Sequence, residues 1–159
     1  MKHLNVPTRI SLLVALVALV ITCDAYLLSS NTTPTASINN VTITLEVART
    51  VEEKMKGLSG RASLPPDYGM IFLYEDKDIP EFWMKDVLFP LDIIWIDDGV
   101  IIDIHENVPP PNPNTPDNQL ELYSPKQPIT MVLEVNAGVV KTLGGKNALL
   151  NQKIILQNI

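Results

Sequence analysis

Residues 91–104 read LDIIWIDDGVIIDI, and this pattern gives the clearest indication of the fold class. Two apolar runs, at 91–96 and 100–104, flank the tripeptide DDG at 97–99. An Asp-Gly pair between apolar runs is typical of the tight turn of a β-hairpin, because glycine accepts the positive φ that the turn requires. The sequence therefore predicts two antiparallel strands here.

Further short strands are predicted on both sides of this hairpin. Residues 41–47 alternate strictly between apolar and polar side chains, as a half-buried strand does. Short segments of similar character predict strands at 70–74, 82–85, 130–135 and 153–156. Many short strands separated by turns favour a β-sandwich or a barrel.

Two short helices accompany the predicted strands. Thr50 stands three residues before Glu53, which is the pattern of a capping box at the start of a helix. The apolar residues that follow have helical spacing, and Gly57 or Gly60 can end the helix. A second helical turn is predicted over residues 136–143. The chain is therefore predicted to be mainly β with two short helices.

The amino terminus has the layout of an export signal or a membrane anchor. Residues 1–9 form a basic start, and an apolar segment follows over residues 10–28. No basic residue occurs between Arg9 and Arg49. Because cytoplasmic flanks collect Lys and Arg, the amino terminus is predicted to stay inside and the rest of the chain to lie outside the cytoplasm.

Three interpretations of residues 10–28 stay open, and all of them export the domain. The segment is an uncleaved anchor, a cleaved signal peptide that yields a secreted protein, or the signal of a lipoprotein acylated on Cys23. The anchor is favoured, because a helix over these residues reaches about 28 Å, close to the hydrocarbon thickness of ~30 Å.

The rest of the chain divides into a linker and one domain. Residues 29–40 are rich in Ser, Thr and Asn and are predicted to be a flexible linker, and residues 41–159 are predicted to form one extracytoplasmic β domain. Cys23 is the only cysteine, so this domain has no internal disulfide. Residues 41–159 carry 10 basic and 17 acidic side chains, a net charge of −7. Such a domain repels phosphate backbones, which disfavours nucleic acid as a partner.

Five short motifs follow one another along the chain: GLSGR at 57–61, YGMIF at 68–72, FWMKD at 82–86, PLDII at 90–94 and VLEVNAG at 132–138. Together they resemble the domain of unknown function 192 family, also called uncharacterised protein family 0127. The resemblance implies a small, mostly β domain with a jelly-roll-like sandwich that is often exported. It implies no particular activity.

Six residues form a candidate site for a small polar or sugar-like ligand. By strand alternation, Trp83 and Lys85 share one face of their strand. Asp92 and Glu134 each stand in an apolar row, where a carboxylate must be paired, protonated or at the end of the sheet. If these groups converge, they offer polar contacts in a pocket; the full set is Arg61, Trp83, Lys85, Asp92, Glu134 and Asn136.

A purely structural role for the same residues is favoured over the binding role. In this interpretation Asp92 and Glu134 are anions that hold Arg61 and Lys85, because structural ion pairs perturb carboxylates as readily as functional sites do. Asn136 then caps the following helical turn, and Trp83 fills the core. No catalytic residue is identified.

Three functions remain open at this stage. The favoured one is a non-enzymatic accessory or small-ligand-binding domain of the cell envelope, with no cofactor. One alternative is an envelope hydrolase acting on glycans through paired carboxylates, which requires Asp92 and Glu134 to be close together. The other is a protein-interaction module with an unidentified partner, which uses the proline-rich segment 109–116. No metal is expected, because His105 is the only histidine of the domain.

Overall fold

The computed structural model of the protein describes residues 33–159. The predicted basic start at 1–9, the apolar segment at 10–28 and Cys23 lie outside the described residues. None of the helices in residues 33–159 has the length and apolar character needed to cross a membrane.

The described residues form nine strands, three α-helices and one 3-10 turn. The strands are β1 (Thr35–Ile38), β2 (Val41–Ala48), β3 (Tyr68–Asp78), β4 (Phe82–Trp83), β5 (Leu91–Asp97), β6 (Val100–Val108), β7 (Leu122–Tyr123), β8 (Ile129–Asn136) and β9 (Ile155–Gln157). The helices are α1 (Val51–Lys56), α2 (Val139–Thr142) and α3 (Lys146–Leu149), and the 3-10 turn is Asp117–Gln119.

Seven of these strands form one curled sheet in the order β6-β5-β8-β3-β2-β1-β9. β2 and β3 are parallel, and the other neighbouring pairs are antiparallel. The segment before β9 reaches the opposite edge, where the Asn151 N–H donates to the Ile101 carbonyl oxygen at 2.8 Å and the Ile154 N–H to that of Gly99 at 2.9 Å. The two edges of the sheet therefore meet over this short stretch, which pairs backbone groups at the start of β6.

Strand alternation gives the curled sheet two buried faces. In β8, Leu133 and Val135 point to the inner face, where they pack with α2 and α3. Val132 points to the outer face, which packs against the loop after α1, the residues around β4, and Trp95 of β5. Because both faces are covered, β5 is buried along almost its whole length.

Several local predictions are confirmed. The chain is mainly β, the hairpin joins β5 to β6, and residues 109–116 form a loop. α1 begins with the predicted capping box: the Glu53 N–H donates to the Thr50 hydroxyl oxygen at 3.2 Å, and the Thr50 N–H donates to the Glu53 carboxylate at 2.9 Å.

The expected architecture is confirmed only in its coarser form, and one boundary differs. The sequence predicts a jelly-roll-like β-sandwich or barrel with two short helices; residues 33–159 are mainly β, with one curled seven-stranded sheet that forms a half-barrel, a two-stranded sheet of β4 and β7, and three short α-helices. The predicted linker at 29–40 overlaps the domain, because β1 pairs with both β2 and β9. Ala36 and Ile38 are buried in the inner core, which anchors this otherwise polar segment.

Candidate functional site

Glu134 occupies the centre of the outer face of the large sheet. It lies on β8, opposite Met70 of β3 and Ile93 of β5, and only 5% of the residue is exposed. Its sequence neighbours Leu133 and Val135 point into the inner core. The register of three neighbouring strands therefore fixes a carboxyl group within an apolar layer.

A cavity of about 520 Å³ opens on this outer face, and Glu134 lines it. We call it the Glu134 pocket. Its walls come from β3, α1 with the turn that follows it, the two-stranded sheet and the residues next to that sheet. The lining residues are Val51, Lys54, Met55, Lys56, Gly57, Leu58, Ser59, Phe72, Tyr74, Glu81, Phe82, Trp83, Val87, Leu122 and Glu134.

Aromatic side chains form a large part of the wall. Phe72 of β3 and Phe82 of β4 meet edge to face, with ring centroids 4.9 Å apart and an interplanar angle of 82°. Phe82 also meets the fully buried ring of Trp95 edge to face, at 5.4 Å. Tyr74 and Trp83 complete the aromatic lining. Edge-to-face contacts of this kind hold ring orientations, so this wall is preformed.

The Glu134 carboxyl group has no ion pair and no hydrogen bond to another group within residues 33–159. Burial raises its pKa to about 8, because a carboxylate loses its hydration in an apolar layer. The group is therefore mostly protonated at neutral pH and can donate a hydrogen bond into the pocket. The pKa of Tyr74 is raised to about 12, chiefly by burial and further by the negative charges of Asp78 and Glu134.

The rim of the pocket combines apolar side chains with two lysines. Val51 is 71% exposed, and Met55 and Leu122 are also more than half exposed. Lys54 places its Nζ 4.2 Å from the centre of the Tyr74 ring, in a cation–π contact. Lys56 also lines the rim. Exposed apolar side chains gathered around one cavity are typical of a binding site.

Two of the six predicted site residues, Trp83 and Glu134, line the pocket, and the other four do not. Arg61 instead forms a bidentate ion pair with Glu46, in which Nη2 and Oε2 are 2.7 Å apart. Lys85 forms an ion pair with Asp117. Neither cation contacts Glu134, so the expected pairing of these lysine and arginine side chains with Glu134 is wrong.

Asp92 lies on the opposite face of the sheet from Glu134. It is opposite Val135, a residue of the inner core, whereas Glu134 is opposite Ile93 of the outer core. Its carboxylate accepts hydrogen bonds from the N–H groups of Asn107 at 2.8 Å, Gly138 at 3.0 Å and Val140 at 2.9 Å. Asp92 therefore holds the start of α2 against the sheet, and no cationic side chain of residues 33–159 is paired with it.

Asn136 and Trp83 also differ from their expected structural roles. The Asn136 Nδ2 donates to the carbonyl oxygens of Leu64 at 3.0 Å and Pro65 at 3.1 Å, so it ties the turn before β3 to β8 and does not cap α2. Trp83 is 37% exposed and lies at the pocket, while the buried indole of the core belongs to Trp95.

His105 lies in an aromatic cluster. Its Nδ1 accepts a hydrogen bond from Nε1 of Trp95 at 2.8 Å, and its ring meets that of Tyr123 edge to face at 5.6 Å. Burial lowers the pKa of His105, which favours the neutral ring. In the part of the chain that the structure describes, no three His, Cys, Asp or Glu side chains are arranged to hold a metal ion.

Sequence reasoning missed most of the pocket wall. Phe72 and Tyr74 continue the alternating row that begins at Met70, so the period of two already placed them on one face. Lys54 and Leu122 gave no such signal. Lys54 reaches the pocket because α1 lies next to β3, and Leu122 reaches it because β7 pairs with β4. Both are contacts between distant parts of the sequence.

The comparisons with known proteins support this fold. The family model of DUF192, described as an uncharacterized ACR, matches residues 33–147. A crystal structure from Sinorhizobium meliloti 1021, described as a "putative transcription regulator", shares 29% identity, with a TM-score of 0.66 over 77% of this chain and 91% of its own. A protein of unknown function from Novosphingobium aromaticivorans DSM 12444 shares 31% identity, with a TM-score of 0.65. The match covers 77% of this chain and 83% of the Novosphingobium chain. No curated protein matches the chain.

Proposed function

The chain belongs to the DUF192 family, and we propose that it is a membrane-anchored accessory domain that binds a small molecule in the Glu134 pocket. The observation that carries the proposal is a carboxyl group, 5% exposed and without a protein partner among the described residues, that lines an apolar cavity of about 520 Å³. A buried polar group without a partner costs free energy, and a ligand that supplies the missing hydrogen bond recovers part of it.

The lining favours a ligand with an apolar body and one polar group. Phe72, Phe82 and Trp83 offer aromatic surface, and Glu134 offers one polar contact at a fixed position. A sugar carries hydroxyl groups on all sides and needs polar partners around it, whereas the larger part of this wall is apolar. We therefore propose an amphipathic ligand in place of the polar or sugar-like ligand expected from the sequence.

The membrane part of the proposal rests on the sequence. The basic start at 1–9, the apolar segment at 10–28 and the gap in basic residues before Arg49 support an anchor with the domain outside the cytoplasm. A secreted form and a lipoprotein acylated on Cys23 are the alternatives, and each gives the pocket the same extracytoplasmic location.

The other candidate functions receive less support. A glycan hydrolase with paired carboxylates needs Asp92 and Glu134 in one cleft, and these residues lie on opposite faces of the sheet. The interaction module built on residues 109–116 stays an alternative. The "regulator" in the description of the Sinorhizobium protein does not extend to our proposal, because the net charge of −7 on residues 41–159 disfavours contact with nucleic acid.

Methionine methyl resonances provide a direct test of binding. The full chain is labelled with ¹³C at the methionine methyl groups and titrated with heptanamide, a neutral amphipathic probe. Met55 lines the pocket, whereas Met131 packs against the inner core on the other side of the sheet. We expect a saturable shift of the Met55 methyl resonance and no shift of the Met131 resonance.

Two matched variants locate the probe. Val51→Asp places a charge on the apolar rim and is expected to weaken probe binding by roughly threefold to tenfold, since an apolar contact of about 1 kcal/mol is lost. Leu88→Asp is the control, because Leu88 is 63% exposed and does not line the pocket. Equal binding to both variants, or parallel shifts of Met55 and Met131, would contradict the proposal.

A further inference from the structure

We propose that the ligand of the Glu134 pocket is an organic cation, a compound with an ammonium group on an apolar body. This inference rests on the proposed binding function and specifies the charge of the ligand. It comes from three features of the pocket: aromatic rings, a buried carboxyl group without a cationic partner among residues 33–159, and an ammonium group that the wall already holds.

The aromatic wall suits a cation. Phe72, Tyr74, Phe82 and Trp83 all line the cavity. The face of an aromatic ring carries partial negative charge and attracts an ammonium group that has lost part of its hydration. Two of these rings already have an ammonium group over them: Lys54 Nζ lies 4.2 Å from the centre of the Tyr74 ring, and Lys85 Nζ lies 5.7 Å from the centre of the Trp83 ring. An apolar ligand without charge would gain from the same surface only by burial.

The Glu134 carboxyl group adds a buried acidic group that has no cationic partner among the described residues. The sequence suggested Arg61 and Lys85 as cationic partners of Glu134. In the structure Arg61 forms an ion pair with Glu46, and Lys85 forms one with Asp117. An ionised carboxylate in an apolar layer is unfavourable unless a cation lies close to it. A ligand ammonium group supplies that cation, so it interacts with the ionised form of Glu134 far better than a neutral ligand does.

Lys54 shows that the wall accommodates an ammonium group. Its Nζ lies 4.2 Å from the centre of the Tyr74 ring, at the edge of the cavity. Lys54 belongs to the surface helix α1 and can move its flexible side chain into solvent when a ligand enters. The net charge of −7 on residues 41–159 also favours the approach of cations over anions.

An anionic amphiphile is the competing ligand, and it makes the opposite prediction about Lys54. Such a ligand would place its head group at the rim, next to Lys54 and Lys56, with its chain directed inward. Removal of the Lys54 charge would then weaken binding. For a cationic ligand the same change removes a like charge and strengthens binding.

Proton release reports the ionisation of Glu134. Burial holds this group mostly protonated at pH 7, so a cation that binds beside it drives a proton off. Four other titratable or charged groups line the cavity: Tyr74 of β3, Lys54 and Lys56 of α1, and Glu81 before β4. The pKa of Tyr74 is raised to about 12, which keeps its hydroxyl protonated in this range. The Glu134→Gln variant isolates the contribution of Glu134 from the rest.

Isothermal titration calorimetry on the full chain in phosphatidylglycerol nanodiscs tests the inference, with empty nanodiscs as the blank. The probes place three head groups on one hexyl chain: hexyltrimethylammonium, heptanoate and heptanamide. Titrations at pH 7 in phosphate and in Tris, whose ionisation enthalpies differ, give the number of protons released. We expect the cation to bind at least about tenfold more tightly than heptanamide and to release close to one proton.

Two variants sharpen the result. Glu134→Gln is expected to weaken binding of the cation by about tenfold or more and to abolish proton release, with heptanamide affected by less than about twofold. Lys54→Met, a change at the surface of α1, is expected to strengthen binding of the cation by roughly fivefold, because a like charge at the edge of the cavity is removed.

The outcomes separate this inference from the proposed function. If heptanoate or heptanamide binds more tightly than the cation, or if Lys54→Met weakens the cation, the inference is wrong and the pocket is still a binding site. If none of the three probes binds, both the inference and the proposed function are wrong. Lys54→Met keeps the test decisive even if Glu134→Gln fails to fold.

Discussion

Replacement of Glu134 by Gln is expected to stabilise the protein, and increasingly so as the pH rises. Burial raises the pKa of Glu134 from its ordinary value of 4.5 to about 8. The pKa of Glu134 is therefore 4.5 in the unfolded chain and about 8 in the folded protein. The contribution of Glu134 to stability is fully present below pH 4.5 and is lost as the pH rises to about 8, because the folded protein then has to ionise a buried group. Gln keeps the shape and a hydrogen-bonding end but does not ionise, so it escapes this loss.

The size of the effect follows from the linkage between pKa and stability. One pH unit corresponds to about 1.4 kcal/mol, so the advantage of Glu134→Gln grows from about 1 kcal/mol near pH 5 to at most about 5 kcal/mol near pH 9. The figure is an upper bound, since water in the pocket also stabilises the carboxylate. Urea unfolding of both proteins between pH 5 and pH 9 measures it, with the fluorescence of the buried Trp95 as the signal. A difference that stays constant over this range would refute the reasoning.

Three further substitutions test parts of the framework, and urea unfolding of the full chain measures each of them. Asp92→Ala leaves three backbone N–H groups without their acceptor and is expected to cost about 3 kcal/mol; a loss below about 1 kcal/mol would contradict the role of Asp92. Gly69→Ala places a Cβ 2.9 Å from the carbonyl oxygen of Glu134, so β8 must move at a cost of about 2 kcal/mol; an unchanged stability would mean that the strands are less closely packed there. Thr50→Ala removes the cap of α1 and is expected to cost about 1 kcal/mol, whereas no loss would show that the cap does not hold this helix.

The elements that the sequence predicts best are those with local causes. The turn at 97–99 and the capping box of Thr50 and Glu53 depend on residues within a few positions of one another. β1 escaped prediction because its segment is polar and short, and it becomes a strand only through pairing with β2 and β9 and burial of Ala36 and Ile38. Such pairing joins distant parts of the chain and leaves no local signal.

The candidate site was predictable only in part, for a related reason. Alternation predicted correctly that Glu134 stands in an apolar row, and the requirement for pairing or protonation followed from that position. Whether Asp92 shares the face of Glu134 depends on the register between β5 and β8, since a shift of one residue reverses the face. The register places them on opposite faces. The rim residues Lys54 and Leu122 come from elements that only the folded chain brings together.

The central claim is that Glu134 is a buried carboxyl group that the protein leaves for a ligand, and its pKa tests this most directly. The full chain is labelled with ¹³C at the glutamate carboxyl carbon, and the Glu134→Gln variant identifies the resonance of Glu134. The resonance is then followed from pH 4 to pH 10 without ligand. We predict a midpoint at about pH 8. A midpoint near 4.5 would contradict the account, because the protein itself would then stabilise the ionised group and the pocket would offer a ligand no unpaired partner.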